Sequence, residues 1–216
     1  RPLWKGKWHL RLFSSDGREI LCQEEQPESL LPFNDWRRKL SFLAGLPGFG
    51  YSHYRVELVR GRRREAAAKL YLKYRIDRNM GSITSLLAGA GRECLTGPLF
   101  LPLVIEDKGD SWGTECWSYR KIAGRFKLLK GSLRIIQKGP VRRLTEAVYS
   151  WGKSRIVARI YAYSSWPVLE FRLRIHWNEE RKCLKLAVPT VFDSAQVLCE
   201  VPGGAIFRPT DGEEHV

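Results

Sequence analysis

VLEFRLRIHW, residues 168–177, alternates without a break. Leu169, Phe171, Leu173, Ile175 and Trp177 fall on one side, and Glu170, Arg172, Arg174 and His176 on the other. Successive side chains leave a strand in opposite directions, so a period of two marks a strand with one apolar and one solvated face. Trp177, in register with Leu173 and Ile175, is expected in the core.

The pattern spreads in both directions from this run. SLRIIQKGP, VRRLTEAVYSW, KSRIVARIYAYS, CLKLAVP and QVLCEVP alternate too, with short breaks between them. Upstream, KWHLRLFSS and REILCQE flank Asp16-Gly17, a hairpin signal. RKLSFLAGLP and HYRVELVR read as further strands around a Pro/Gly-rich turn at Pro47 to Gly50. DRNMGS is read as a turn between KLYLKYRID and SITSLLAG. No helical period of 3.6 is sustained anywhere. The expected fold is all-β: a large antiparallel β-sandwich preceded by a small β domain. The pattern breaks at RGRRREAAAK, which places the boundary near residue 64, giving a small β-strand domain at 1–64 and the sandwich at 65–216.

Composition narrows the function classes. The chain has 216 residues and is 44% hydrophobic and 28% charged, as globular chains are. No run approaches the roughly 18 apolar residues of a membrane helix, so no membrane partner is expected. RPLWKGKWHL lacks the apolar core of a secretion signal and no Met begins it, which fits a segment of a longer protein. The net charge of +14 raises nucleic acid as a partner. The basic residues are mostly spread over solvated strand faces, however, which disfavours that reading. Five widely spaced cysteines without a CxxC pair fit reduced thiols and a cytoplasmic location.

Catalytic patterns are sparse. There is no G-x-S-x-G elbow. None of His9, His53, His176 and His215 opens a His-x-Asp or His-x-x-x-His pair, so no metal site is expected. EDKGDSWGTE, residues 106–115, holds Asp107 and Asp110 either side of a glycine. Two carboxylates some 5–10 Å apart can hydrolyse a glycoside. Their spacing suits a turn better, with side chains bonding the backbone. Eight tryptophans offer flat faces for sugars as well as bulk for packing.

Taken in order, EDKGDSWGTE, GRFK, KGPVRR, IHWNEERKCLKLAVP and EVPGGAIFRPTDGEE resemble the C-terminal region of α-mannosidases of glycoside hydrolase family 38. FLAGLPGFGYSHYRV is similar to the segment just before that region. Trp177, Glu179, Leu184, Lys185 and Leu186 keep the family pattern, as do Gly139, Pro140, Val141 and Arg142. Ser111, Trp112, Gly113 and Thr114 depart from it, and His176 stands where the family often has Asp.

The resemblance implies a galactose-mutarotase-like supersandwich belonging to a retaining enzyme that hydrolyses α-mannosidic bonds in mannosides and oligosaccharides. The catalytic aspartate and the zinc ligands lie in an N-terminal domain of such enzymes, so the segment alone is expected to be inactive, with no catalytic or metal residue of its own. Its expected partners are that catalytic domain of the same chain and a mannose-containing oligosaccharide, with a homo-oligomer of the full-length enzyme left open. Asp107, Asp110, Trp112, Glu179 and Arg208 are its candidates for carbohydrate or interdomain contact. The alternative is a free-standing carbohydrate-binding module.

Overall fold

The computed structural model describes residues 8–27, 38–61, 69–109, 119–192 and 196–209. All regular elements among them are strands. They begin with β1 (Trp8–Ser14), β2 (Glu19–Ile20), β3 (Cys22–Glu25), β4 (Lys39–Phe42) and β5 (Tyr54–Arg60). Next come β6 (Lys73–Ile76), β7 (Ile83–Ala88), β8 (Arg92–Glu93) and β9 (Leu101–Glu106). β10 (Ile122–Arg125), β11 (Lys127–Leu128) and β12 (Arg134–Lys138) lead into the two longest strands, β13 (Arg142–Trp151) and β14 (Ser154–Tyr163). β15 (Leu169–His176), β16 (Lys182–Ala187), β17 (Gln196–Val201) and β18 (Gly204–Pro209) complete the series. The all-β expectation holds. No helix among the described residues is long and apolar enough to cross a membrane.

The strands pair in the orders β2-β1-β5, β3-β4, β6-β7-β8, β10-β9-β16 and β17-β18, and in a larger sheet β11-β13-β14-β15 with β12 on β13. The backbone forms two compact units. One is drawn from residues 1–72, 135–145 and 160–171, the other from 73–134, 146–159 and 172–216.

The first unit starts with the hairpin that Asp16-Gly17 predicts. Gly17 takes φ 82°, where a side chain would be strained. Ser14 N donates to Arg18 O at 2.9 Å, and β1 pairs Leu12 with Ile20. β1 then pairs along its whole length with β5, Trp8 opposite Arg60 and Ser14 opposite Tyr54. β4 pairs with β3 rather than with β5. Leu12, Cys22 and Val141 are buried, and Leu144, Tyr161 and Tyr163 cluster with Leu43 packed against them.

β3 is a strand of unusual content: Gln23 and Glu25 are both buried. Burying such groups is costly unless each is bonded. The GPVR stretch supplies the partners. Gln23 Oε1 accepts from Val141 N at 3.1 Å and Arg142 N at 3.0 Å. Gly139 is required here, because a Cβ on it would lie 2.3 Å from the Gln23 carboxamide carbon.

The second unit buries Ile83, Val104, Ile105, Tyr149 and Ile156. Its DRNMGS turn is held by Asp77, whose Oδ1 accepts from Asn79 N at 2.8 Å and Met80 N at 2.7 Å. Strand β15 forms as expected, but its apolar face is not a core face. Ile175 is 46% exposed and Trp177 only partly buried. Among the described residues β15 stands at the end of its strand order, with a neighbour on one side alone. The alternation therefore identified the strand and overestimated its cover.

Candidate functional site

Two chain reversals of the second unit build the site. Gly152 and Lys153 turn β13 into β14, with Gly152 at φ 51°. Trp177 to Arg181 carry the chain from β15 to β16, and Arg181 takes φ 50°.

Glu179 clips the two turns together. Its Oε1 accepts from Lys153 N at 2.6 Å and from Ser154 Oγ at 2.9 Å. Ser154 is fully buried, and its Oγ accepts in turn from Asn178 N at 2.8 Å. Each polar group in this relay has a partner, as burial demands. Glycine at 152 permits the approach, since a Cβ there would stand 2.6 Å from Glu179 Oε1. Trp177 is braced by Phe126, ring centres 6.3 Å apart and planes inclined by 34°.

Lys153, Trp177, Asn178, Glu179 and Glu180 line an open concavity of about 470 Å³. Its lining residues carry one aromatic ring, a carboxamide, an ammonium and two carboxylates. Such a wall can satisfy a ligand that is polar all round yet carries an apolar face.

The other residues that the sequence singled out fall differently. Asp107 N donates to Arg181 O at 3.0 Å, so its backbone joins the reversal next to Glu180. Its carboxylate turns back on its own loop, where Oδ1 accepts from Gly109 N at 3.2 Å. Arg208 lies on β18 opposite Val197, in a different sheet. Asp110 and Trp112 lie outside the described residues. Lys153, Ser154 and Asn178 were not singled out from the sequence. A signal exists for Lys153 alone: the Gly-Lys pair between VRRLTEAVYSW and the next alternating run puts it on a hairpin tip.

A second carboxylate is tied down elsewhere in the same unit. Glu93 accepts from Ser85 Oγ at 2.6 Å and from the backbone N–H groups of Leu86, Cys94 and Leu95 at 2.9, 3.0 and 3.1 Å. The Ser85 hydroxyl, with these amides, holds its pKa down at about 2. Four donors around one carboxylate make it a brace for the β7–β8 hairpin.

Among the described residues no group of three or more His, Cys, Asp or Glu side chains can hold a metal. The donor set needed for zinc is therefore not found among them.

Residues 68–215 match the family described as glycosyl hydrolases family 38 C-terminal domain. The chain is also similar to Alpha-mannosidase G of Dictyostelium discoideum, 28% identical over 142 residues. That alignment covers 60% of this chain and spans 13% of the length of the relative.

Proposed function

This chain belongs to the glycosyl hydrolase family 38 C-terminal domain family, and on that premise we propose that it serves as the non-catalytic β-domain of a retaining α-mannosidase. In this reading it packs on a catalytic domain of the same polypeptide and helps to shape access for a mannose-containing oligosaccharide. The nucleophilic carboxylate and the zinc reside in that other domain.

One observation carries the reading: carboxylates in the family-like motifs are engaged in holding turns. Glu179 accepts two hydrogen bonds from the β13–β14 turn, and Asp107 accepts from Gly109 in its own loop. A retaining glycosidase needs two carboxyl groups about 5 Å apart with a sugar ring between them. A carboxylate whose lone pairs already serve backbone donors is poorly placed for proton transfer or attack. A cytoplasmic location is part of the proposal and rests on five widely spaced cysteines without a CxxC pair.

The test is direct. Purified chain is assayed on an aryl α-mannoside with and without added zinc. No turnover above buffer is expected in either case. Turnover that copurifies with the chain overturns the non-catalytic reading. A carbohydrate-binding module is the second reading, favoured by the concavity with Trp177 in its wall.

A further inference from the structure

We infer that the concavity between the β13–β14 and β15–β16 turns binds a pyranoside ring. The wall chemistry selects this ligand class. A pyranoside has an apolar face of C–H groups and a rim of hydroxyls that both donate and accept. Trp177 supplies an aromatic surface for the first. Asn178 can donate and accept, Lys153 donates, and Glu180 accepts, as does Glu179 through the oxygen other than Oε1.

Competing ligand classes fit less well. Two carboxylates in the wall repel a phosphate or nucleic acid, although the protein as a whole carries a charge of +14. A cation would be opposed by the positive charge of Lys153. A purely apolar ligand would strand the polar groups, with one aromatic ring to offset them. The volume of about 470 Å³ lies within the range of roughly 300–1,000 Å³ usual for small-molecule sites.

The site is also organised before a ligand arrives. Glu179 is fixed by its two hydrogen bonds, the backbone at Asn178 by the bond from its N to Ser154, and Trp177 by Phe126. Less ordering remains to be done on binding, which matters for weak ligands such as monosaccharides.

Methyl α-mannopyranoside is the first probe, and that choice alone rests on the family reading. Methyl α-glucopyranoside is the second. Each is titrated into isotope-labelled chain and followed by amide and indole NMR shifts. Saturable shifts at Lys153, Trp177 and Glu179 are expected, with a dissociation constant of about 1–10 mM. Asn178→Ala removes a side chain but keeps the backbone bond to Ser154. It is expected to weaken binding about tenfold, the equivalent of one hydrogen bond of about 1.4 kcal/mol, with the fold's spectrum unchanged. Glu180→Ala is expected to act in the same direction.

No saturable shift with either sugar at about 100 mM overturns the inference. So does binding that both variants leave intact, since the ligand would then sit elsewhere. Either failure leaves the non-catalytic reading untouched. Turnover of an aryl mannoside overturns that reading without bearing on this site.

Discussion

The Arg142 guanidinium holds the Glu25 carboxylate by two contacts of 2.7 Å, Nε to Oε1 and an Nη to Oε2. Only 11% of the Arg142 side chain and 4% of the Glu25 side chain are exposed. The guanidinium also lies 4.6 Å from the centre of the Tyr161 ring. Arg142 ends the GPVR stretch, so this pair explains why an arginine stands there. Removing one partner leaves the other buried charge without its main partner, which costs about 3–5 kcal/mol. Glu25→Ala and Arg142→Ala are each expected to lower the unfolding free energy by that much, read as a fall in the urea midpoint. Arg142→Lys should recover little, because an ammonium cannot make the two-pronged contact or stack in the same way. A lysine variant as stable as the parent would contradict the account.

Tyr149 and Gly81 form a second close pair. The fully buried Tyr149 hydroxyl donates to Gly81 O at 2.9 Å. Burial pushes its pKa far above that of an ordinary phenol. Gly81 has φ 72°, and a Cβ on it would lie 2.5 Å from the hydroxyl. Tyr149→Phe leaves a buried carbonyl without that donor and is expected to cost about 1–3 kcal/mol. Gly81→Ala adds backbone strain to a clash and should cost more. Combining the two should recover part of the loss, because the worst contact is with the hydroxyl itself. Strict additivity in denaturant titrations would show that the clash does not control the site.

Glu93 makes stability depend on acid. Its hydrogen bonds with Ser85 and the Leu86, Cys94 and Leu95 amides hold its pKa at about 2, below the ordinary 4.5. The folded value is the lower one, so protons bind the unfolded chain more readily. Its contribution is therefore complete above pH 4.5 and disappears as the pH falls toward about 2. Glu93→Gln keeps the shape and removes the charge. The gap in melting temperature between parent and variant should be constant near neutrality and close in acid. A gap that persists unchanged to the acid limit would argue against this carboxylate as the cause.

Local physics made much of this legible in the sequence. Alternation in VLEFRLRIHW gave β15, and Asp16-Gly17 gave the β1–β2 hairpin, because period and turn chemistry act over a few residues. Pairing partners were another matter. β3 meets β4, and β1 meets β5, through contacts that strand character alone does not specify. REILCQE reads as a strand, but nothing local marks Gln23 and Glu25 as buried, since their main partners are Val141 and Arg142, some 117–119 residues away. The site was half visible. Glu179 was read from a motif, while Ser154 and Asn178 entered through a backbone relay that only the folded turns create. Trp177 was assigned to the core because a period shows which face is apolar and not what covers it.

The β17–β18 ribbon gives the last prediction. Leu198 and Phe207 face each other across its ladder and are 61% and 67% exposed. Val197 and Ile206, of opposite parity in the two strands, are 47% and 42% exposed. A two-stranded ribbon with apolar side chains open to water on both faces favours self-association. Leu198→Lys with Phe207→Lys removes the larger pair. Exposed side chains contribute little to folding, within about 0.5 kcal/mol each, so the melting temperature should move by no more than about 4 °C. Concentration-dependent light scattering and binding of an apolar dye should fall. A larger drop in melting temperature would mean that these side chains support the fold, and unchanged scattering would mean that association runs through another surface.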